Sequence, residues 1–409
     1  MATFKTISSA DIKTTRSNLN QLIDFVEEDI SGSATRKTYQ VFVSGTTRDS
    51  GVTSSLFQTV YDQNYQLQTA NELFDITVGL YKDSSTVTDS STGTDANGKL
   101  LFPSSSLMMR EKVNIYRQYS QLLLGNADSQ FVSPNGSTTD SDKINEALFI
   151  NFKRLFVRDG IKRETFAMRF FQSASAADQA EDGALSSSGQ TNVFRGTTSG
   201  SVIFTDVGSA SSIERSATGG DVGNLVNSSN TSEKVGLLFY QQGIAVLDLA
   251  KITSGSQKMS GSINSVGNTA GSITMGRTSE GNPSAKFIPD FLVSGSIDDI
   301  VKHVSTVRFG SGSQTFLTFQ NNTQINSTLV FCRATADEFN FSSNPTYVDS
   351  NGRIKVIDEG QGNKQKAFSF VTTVGLYDAS EQLIAVAKLS RPVEKNDEKD
   401  LTFRVRLDF

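Results

Sequence analysis

The chain has 409 residues, 20% of them charged, and a formal net charge of −5 from 38 basic and 43 acidic side chains. That balance argues against a basic nucleic-acid sleeve and against a protein held on an anionic membrane surface, and a single cysteine rules out an intramolecular disulfide. Hydrophobic content of 36% is low for a self-contained globule. With 28 Phe, 9 Tyr and no Trp, phenylalanine must supply most of the large core and interface anchors.

From the N-terminus, Ser9 precedes Leu19, Leu22, Ile23, Val26 and Ile30 at helical spacing, closing on Ser31-Gly32. The spacing predicts an amphipathic helix over residues 9–30, laid on its own core or docked on a neighbour. TYQVFVSG reads as a strand, and LFDITVGLY at Leu73–Tyr81 as another. Its TVGLY recurs at Thr373–Tyr377, which allows two related hairpins. A polar loop, DSSTVTDSSTGTDANG, follows. Ser104-Ser105-Ser106 then caps a predicted helix with Met109, Val113, Tyr116 and Leu123 on one face, ended by Gly125. A further helix is expected from Ser141-Asp142, with Ile144, Leu148, Phe152 and Leu155 in register. It runs to Arg158-Asp159-Gly160 and a strand at Glu164–Phe171. This region carries a basic cluster: Lys153, Arg154, Arg158, Lys162, Arg163 and Arg169. It reads as a solvated face, or as a surface paired with an acidic neighbour in an assembly. No glycine-rich or stacking context favours nucleic acid.

Between Gln172 and Ser232 the chain is dominated by Ser, Gly, Ala and Thr, broken by strand-like VIFTDV. VGLLFYQQGIAVLDLAKI at Val235–Ile252 reads as a hairpin or a pair of buried strands, with Gly243 near its middle. Thr253–Lys286 is again Ser/Gly-rich. By composition both polar stretches resemble linkers or long β-loops ordered by neighbours. SIDDIVKHVSTVRF is alternating and mixed. TFLTFQNN and QINSTLVFCRA predict two strands with Asn321-Asn322 at the turn, and Cys332 in the second reads as a buried inert thiol. Asp349-Ser350-Asn351-Gly352 is turn chemistry. Phe368, Phe370, Val374 and Leu376 share a face of one strand, Leu383, Ala385, Ala387 and Leu389 a face of the next, and the Asp378–Gln382 connection has hairpin length. The last strand alternates throughout. Leu401, Phe403, Val405, Leu407 and Phe409 point one way, and Thr402, Arg404, Arg406 and Asp408 the other, which places the Phe409 ring on a buried face.

These elements predict an α+β, β-dominated chain: antiparallel sheets or a sandwich, long Ser/Gly-rich loops, and a few helices in the first ~160 residues. Composition suggests three parts: an α+β assembly domain at 1–171, a Ser/Gly-rich β region at 172–286 and an antiparallel β domain at 287–409.

No catalytic constellation is expected. One Cys and one His cannot make a zinc cage. His303 in DDIVKHVSTV is the sole imidazole for a triad, lacks a G-x-S-x-G elbow, and reads as an ordinary histidine. There is no Walker A loop, no G-x-G-x-x-G after a strand and no EF-hand spacing. The carboxylate groupings Glu27-Glu28-Asp29, Asp298-Asp299 and Asp358-Glu359 would need a cleft holding two of them roughly 5–10 Å apart for glycosidase chemistry. No apolar run approaches the ~18 residues of a bilayer span. The opening MATFKTISSADIK lacks the apolar core of a secretory signal, so synthesis and retention in a cytoplasm are expected. The expectation is therefore a non-enzyme without cofactor or metal.

EFNFSSNPTY at Glu338–Tyr347, VGLYDASEQLIAVAKLSRPVEK and the closing VRLDF resemble the C-terminal block of virion structural proteins of T4-like contractile-tailed phages, especially those of marine cyanobacteria. FKTISSADIKTTRSNLNQLIDFVEEDISGSATRKTYQVFVSG at Phe4–Gly45, GVTSSLFQTVYDQNYQLQTANELFDITVGLY, LMMREKVNIYRQYSQLLLG and ALFINFKRLFVRDGIKRETFAM are similar to the same family. The resemblance carries no catalytic motif. It implies a structural component of the tail or baseplate, of the wedge type first, holding neighbouring proteins in register. A capsid, neck or fibre-attachment protein is the alternative, and a tail-associated envelope-degrading enzyme the third. The implied partners are other virion proteins and further copies of the chain, without nucleic acid, membrane or small-molecule substrate. The implied location is the virion, assembled in the host cytoplasm. The candidate assembly contacts are Leu22, Val26, Arg154, Arg158, Arg163, Phe339, Phe341, Phe403 and Phe409.

Overall fold

The structure, a computed structural model, describes residues 4–26, 33–39, 41–42, 52–53, 55–90, 107–134, 142–172, 201–211, 214–216, 218–253, 287–288, 292–309, 315–342, 344–355, 364 and 366–409. In chain order its principal elements are β1 (Ile12–Val26), β2 (Arg36–Thr38), β3 (Gln58–Tyr61), β4 (Glu72–Leu80), α1 (Leu107–Leu124), β5 (Glu146–Phe152), α2 (Arg154–Val157), β6 (Ala167–Phe171), β7 (Ser201–Thr205), β8 (Gly220–Asn227), β9 (Asn230–Phe239), β10 (Ile244–Asp248), α3 (Ile297–His303), β11 (Thr315–Ala334), β12 (Ser369–Tyr377), β13 (Leu383–Lys395) and β14 (Leu401–Asp408). The chain is α+β and β-dominated, with large antiparallel sheets. Contacts divide it into a smaller unit, Met1–Leu19 with Gln324–Phe409, and a larger unit, Asn20–Thr323. The chain crosses from one to the other inside β1 and inside β11.

The larger unit is organised by antiparallel strands in the order β11–β6–β7–β8–β9–β10–β5–β4–β3–β2. Strands β4, β5 and β10 are almost continuously apolar and buried on both faces, as interior strands must be. Their register sets Val78 opposite Leu148 and Phe149 opposite Val246. The expected hairpin at 235–252 is β9–β10, turned at Gly243 with φ 66°. Helix α1 buries Met109, Tyr116 and Leu123 as its period demands, and Gly125 ends it at φ 81°. Phenylalanine fills the core as composition requires: Phe25 meets Phe74, Phe152, Phe156, Phe316 and Phe319 at 5.2–6.4 Å between ring centroids.

Several expectations of local structure are corrected. The predicted N-terminal helix is strand β1, entered through the short turn Ser9–Asp11. Its side chains from Ile12 to Leu22 are exposed, so the helical apolar spacing has no core to face, and the backbone pairs with β11 instead. Residues 27–32 lie outside the described ones. The helix expected from residue 141 is strand β5; only α2 is helical, and Leu155 is exposed. Asn321-Asn322 does not turn the chain: β11 is one strand of 20 residues. The longest helix, α1, lies in the first ~160 residues as expected; shorter helical segments follow at Leu249–Ile252 and in SIDDIVKHVSTVRF, which forms α3 with a π-helical continuation, Val304–Arg308.

Part of the Ser/Gly-rich region is also regular. Val222, Leu225 and Val226 are buried and make β8 a full strand despite its polar neighbours. Residues 173–200 and 254–286, and the Ser104–Ser106 cap, lie outside the described residues.

In the smaller unit, β11 runs between β1 and β14. The β11–β14 register pairs Val330 with Val405 and Cys332 with Phe403. Hairpin β12–β13 forms as predicted, with the Asp378 carboxylate accepting the N–H groups of Ser380 and Gln382 at 2.8 Å in its turn. Val330, Val405 and Leu376 are the buried centre, with Cys332, Val374, Ala385, Ala387, Leu407 and Ile7 packed around them. The alternation of β14 therefore holds through Leu407. It fails at Phe409, whose ring is 74% exposed.

Candidate assembly surfaces

Phe339 and Phe341 sit on the loop after β11, and a buried lysine fixes that loop. Lys395, at the end of β13, is fully buried; its ammonium donates to Ala336 O at 3.2 Å, Asn340 Oδ1 at 2.7 Å and Asn396 O at 2.7 Å. The Glu338 carboxylate pairs with Lys5 and accepts the Thr335 N–H at 3.0 Å. Lys5 first, and then Thr335, hold its pKa down to about 2. The loop is thus tied at both ends of the turn, while Phe341 is 61% exposed and Phe339 takes a φ of 54°. Two aromatic rings are held toward solvent on an ordered backbone, an arrangement that lowers the entropy lost on docking.

Phe403 lies half-buried on the inward face of β14, so it is as much core as surface. Leu22 is 64% exposed on β1, whereas Val26 is half-buried. Cys332 is half-buried and not fully enclosed. Burial, and then Asp11, raise its thiol pKa.

The basic cluster is largely satisfied within the larger unit. Lys153 bonds Asp75 at 2.8 Å and Glu72 at 2.9 Å. Burial works against its charge, but those two carboxylates outweigh it and raise the pKa. Arg163 pairs with Asp221, and its guanidinium lies 5.8 Å from the centre of the Tyr240 ring. Lys162 reaches Gln320 Oε1 at 3.0 Å and Arg154 reaches Gln241 O at 3.3 Å. Asp206 shapes this turn by accepting from Glu164 N at 2.7 Å, Phe166 N at 3.0 Å and Tyr240 Oη at 3.0 Å. Its carboxyl pKa is raised because burial outweighs these bonds. Arg158 is exposed, as Arg154, Lys162 and Arg163 are, and its backbone is held at φ 59° and ψ −117°.

Several ionisable groups are buried where the sequence offered little warning. His303 is fully enclosed, and its Nε2 accepts from Arg308 Nε at 3.1 Å. Burial first and Arg308 second push its pKa well below the usual value, so the ring is neutral. Arg308 is itself buried and donates to Phe171 O at 3.3 Å and Gln172 O at 2.7 Å. Lys112 donates to Leu292 O at 2.6 Å, Val293 O at 3.0 Å and Gly295 O at 2.6 Å. It stands three residues after Met109 and four before Tyr116, on the apolar stripe of α1, and that position is the one sequence signal that marks it. Asp248 and Glu146 are buried near the ends of paired strands β10 and β5. Burial drives the Asp248 pKa up to about 7, with Glu146 adding to the rise and Lys251 opposing it.

Asp298, from one of the carboxylate groupings, accepts from Ser55 N at 2.8 Å and the Ser55 hydroxyl at 2.5 Å. Glu27–Asp29 and Asp358-Glu359 lie outside the described residues. Among the described residues no group of three His, Cys, Asp or Glu side chains is placed to hold a metal ion, and no helix is long and apolar enough to cross a membrane. Comparison of the chain with family models, curated proteins and solved structures found no match.

Proposed function

We propose that this chain is a structural component of a contractile-tailed phage particle, in the tail or baseplate, where it holds neighbouring proteins in register. The observation that carries the reading is the smaller unit. Among the described residues it holds about a third of the residues and about half of the exposed large apolar side chains, around a centre of three buried ones. Monomeric proteins seldom leave such surface uncovered; assembly partners cover it. The resemblance of the same segment to virion proteins supplies the setting. The role is geometric: Phe341, Phe409 and the outer face of β12–β13 are apolar anchors presented on ordered strands and a pinned loop.

Immunogold labelling and cryo-EM of phage particles that encode the chain test this reading. Density for the chain in the tail or baseplate supports it. Labelling of the head alone favours the capsid alternative, and a particle lacking the chain overturns the structural role.

A further inference from the structure

Ahead of the turn that enters β1, the chain runs through Phe4–Ser8 with neither helix nor strand. Three side chains seat this segment on the smaller unit. The Phe4 ring meets Tyr377 of β12 edge-on, 5.0 Å between centroids. The Lys5 ammonium pairs with Glu338 on the loop after β11. Ile7 packs against the centre formed by Val330, Leu376 and Val405. Among the described residues the main chain of Phe4–Ser8 bonds no distant main-chain segment; its one such bond is local, from Asp11 N to Ser8 O at 2.9 Å. Each hold is weak. The Lys5 and Glu338 side chains are 37% and 30% exposed, and in such surroundings an ion pair contributes little. Phe4 is 51% exposed and Ile7 only half-buried. The surface beneath is held independently. β11 pairs with β14 from Ser327 to Ala334, β12 pairs with β13, and Glu338 also accepts the Thr335 N–H at 3.0 Å.

We propose that Phe4–Ser8 is a strap that swings off the small core while the unit beneath it stays folded, and so gates exposure of the apolar centre. A segment with few buried contacts and no main-chain ladder opens far more readily than the strands it covers. The pivot is Ser8. Its hydroxyl accepts from Ala10 N at 3.3 Å and its carbonyl from Asp11 N, so the turn into β1 keeps its shape when the strap lifts. Opening takes Ile7 from the cluster around Val330, Leu376 and Val405, and Phe4 from Tyr377. Water then meets apolar surface that the strap had covered, which is the cost that closes it again. The occupant of this surface in the closed state is the strap itself. The proposal stands apart from the virion reading because it concerns the purified chain.

The test uses the full-length protein with a nitroxide spin label on Thr6→Cys. Thr6 is exposed, and Cys332→Ser removes the sole native thiol. The spectrum of this parent is expected to hold an immobilised majority and a mobile minority. Lys5→Glu sets a carboxylate against Glu338 and should raise the mobile-to-immobile ratio roughly tenfold. Sodium chloride at about 1 M should raise the ratio in the parent, where it screens an attraction, and lower it in Lys5→Glu, where it screens a repulsion. Binding of the hydrophobic dye bis-ANS should rise in step with the mobile component, while the urea midpoint stays nearly unchanged. A spectrum that neither salt nor Lys5→Glu alters overturns the proposal. So does a mobile component that grows without dye binding, or that appears only with global unfolding. If Lys5→Glu does not fold, the salt response of the parent decides alone.

Discussion

The backbone of Phe409 is locked to that of Asn326 by a reciprocal pair of hydrogen bonds, N–H to O at 2.9 Å and O from N–H at 3.0 Å, while the Phe409 ring stands in solvent. The end of the chain is therefore held by its main chain and not by its last side chain. Val405 is buried and Leu407 half-buried, so the small centre covers the middle of β14 and thins out toward its end.

This separates two variants that sequence alone would equate. Phe409→Ser should change the stability of the smaller unit by no more than about 0.5 kcal/mol. Deleting Leu407-Asp408-Phe409 removes a packed side chain, the Asn326 pair and the Ser327–Asp408 bond. It should cost roughly 2–4 kcal/mol. Urea unfolding of the full chain, followed by exchange at β14 amides, distinguishes them. An equal loss in both would mean that the ring is buried.

Gly79 lies beneath α1. A β-carbon there would stand 2.9 Å from Tyr116 N and 3.0 Å from Tyr116 Cα, both main-chain atoms that cannot swing aside. Gly79→Ala should force the helix outward and cost roughly 1–3 kcal/mol. An unchanged melting temperature would show that α1 does not seat on β4 at this point.

Lys112→Met tests the buried ammonium. The methionine fits the apolar stripe, but the carbonyls of Leu292, Val293 and Gly295 lose their donor. A loss of roughly 2–4 kcal/mol is expected, because uncompensated buried polar groups cost more than a neutral bond contributes. Proteolysis near residues 292–295 should speed up in parallel. A variant as stable as wild type would show that the segment packs without the ammonium.

Two buried groups should give stability opposite slopes with pH. His303 has a depressed pKa in the fold, so its contribution is fully present above the unfolded value of about 6.5 and is lost as pH falls below it. His303→Gln keeps an acceptor for Arg308 and should flatten that acid limb. Asp248 behaves in the reverse sense. Its folded pKa is raised to about 7, so its contribution is greatest below about 3.9 and is lost as pH rises through 7. Asp248→Asn keeps the cap on Ala250 N, removes the titration and should be more stable than wild type at pH 8. Denaturant midpoints from pH 4 to 8 read both; parallel profiles for wild type and Asp248→Asn would refute the assignment of a raised pKa.

The amino-acid sequence alone determined those elements whose own apolar pattern meets a core on one side. Helix α1, hairpin β9–β10, hairpin β12–β13 and β14 up to Leu407 follow from periodicity and turn residues. It misled where the partner is distant in the chain. β1 is exposed, so its side chains carry no period of two, and only pairing with β11 makes it a strand. β5 is buried on both faces, so its apolar run fits helix and strand alike. Asn321 looks like a turn residue, yet its side chain accepts from Gln21 N at 3.0 Å and donates to Phe156 O at 2.8 Å. Those bonds satisfy it inside a continuous strand. The repeated TVGLY makes the division plain. Both copies are strands, as five residues of β-branched and aromatic character dictate. The first is buried and pairs with β5, with a helix seated on its glycine. The second lies on a two-stranded sheet with its tyrosine exposed. Local sequence sets the backbone, whereas the number of layers that cover it depends on residues distant in the chain, Tyr116 and Phe149 for the first copy.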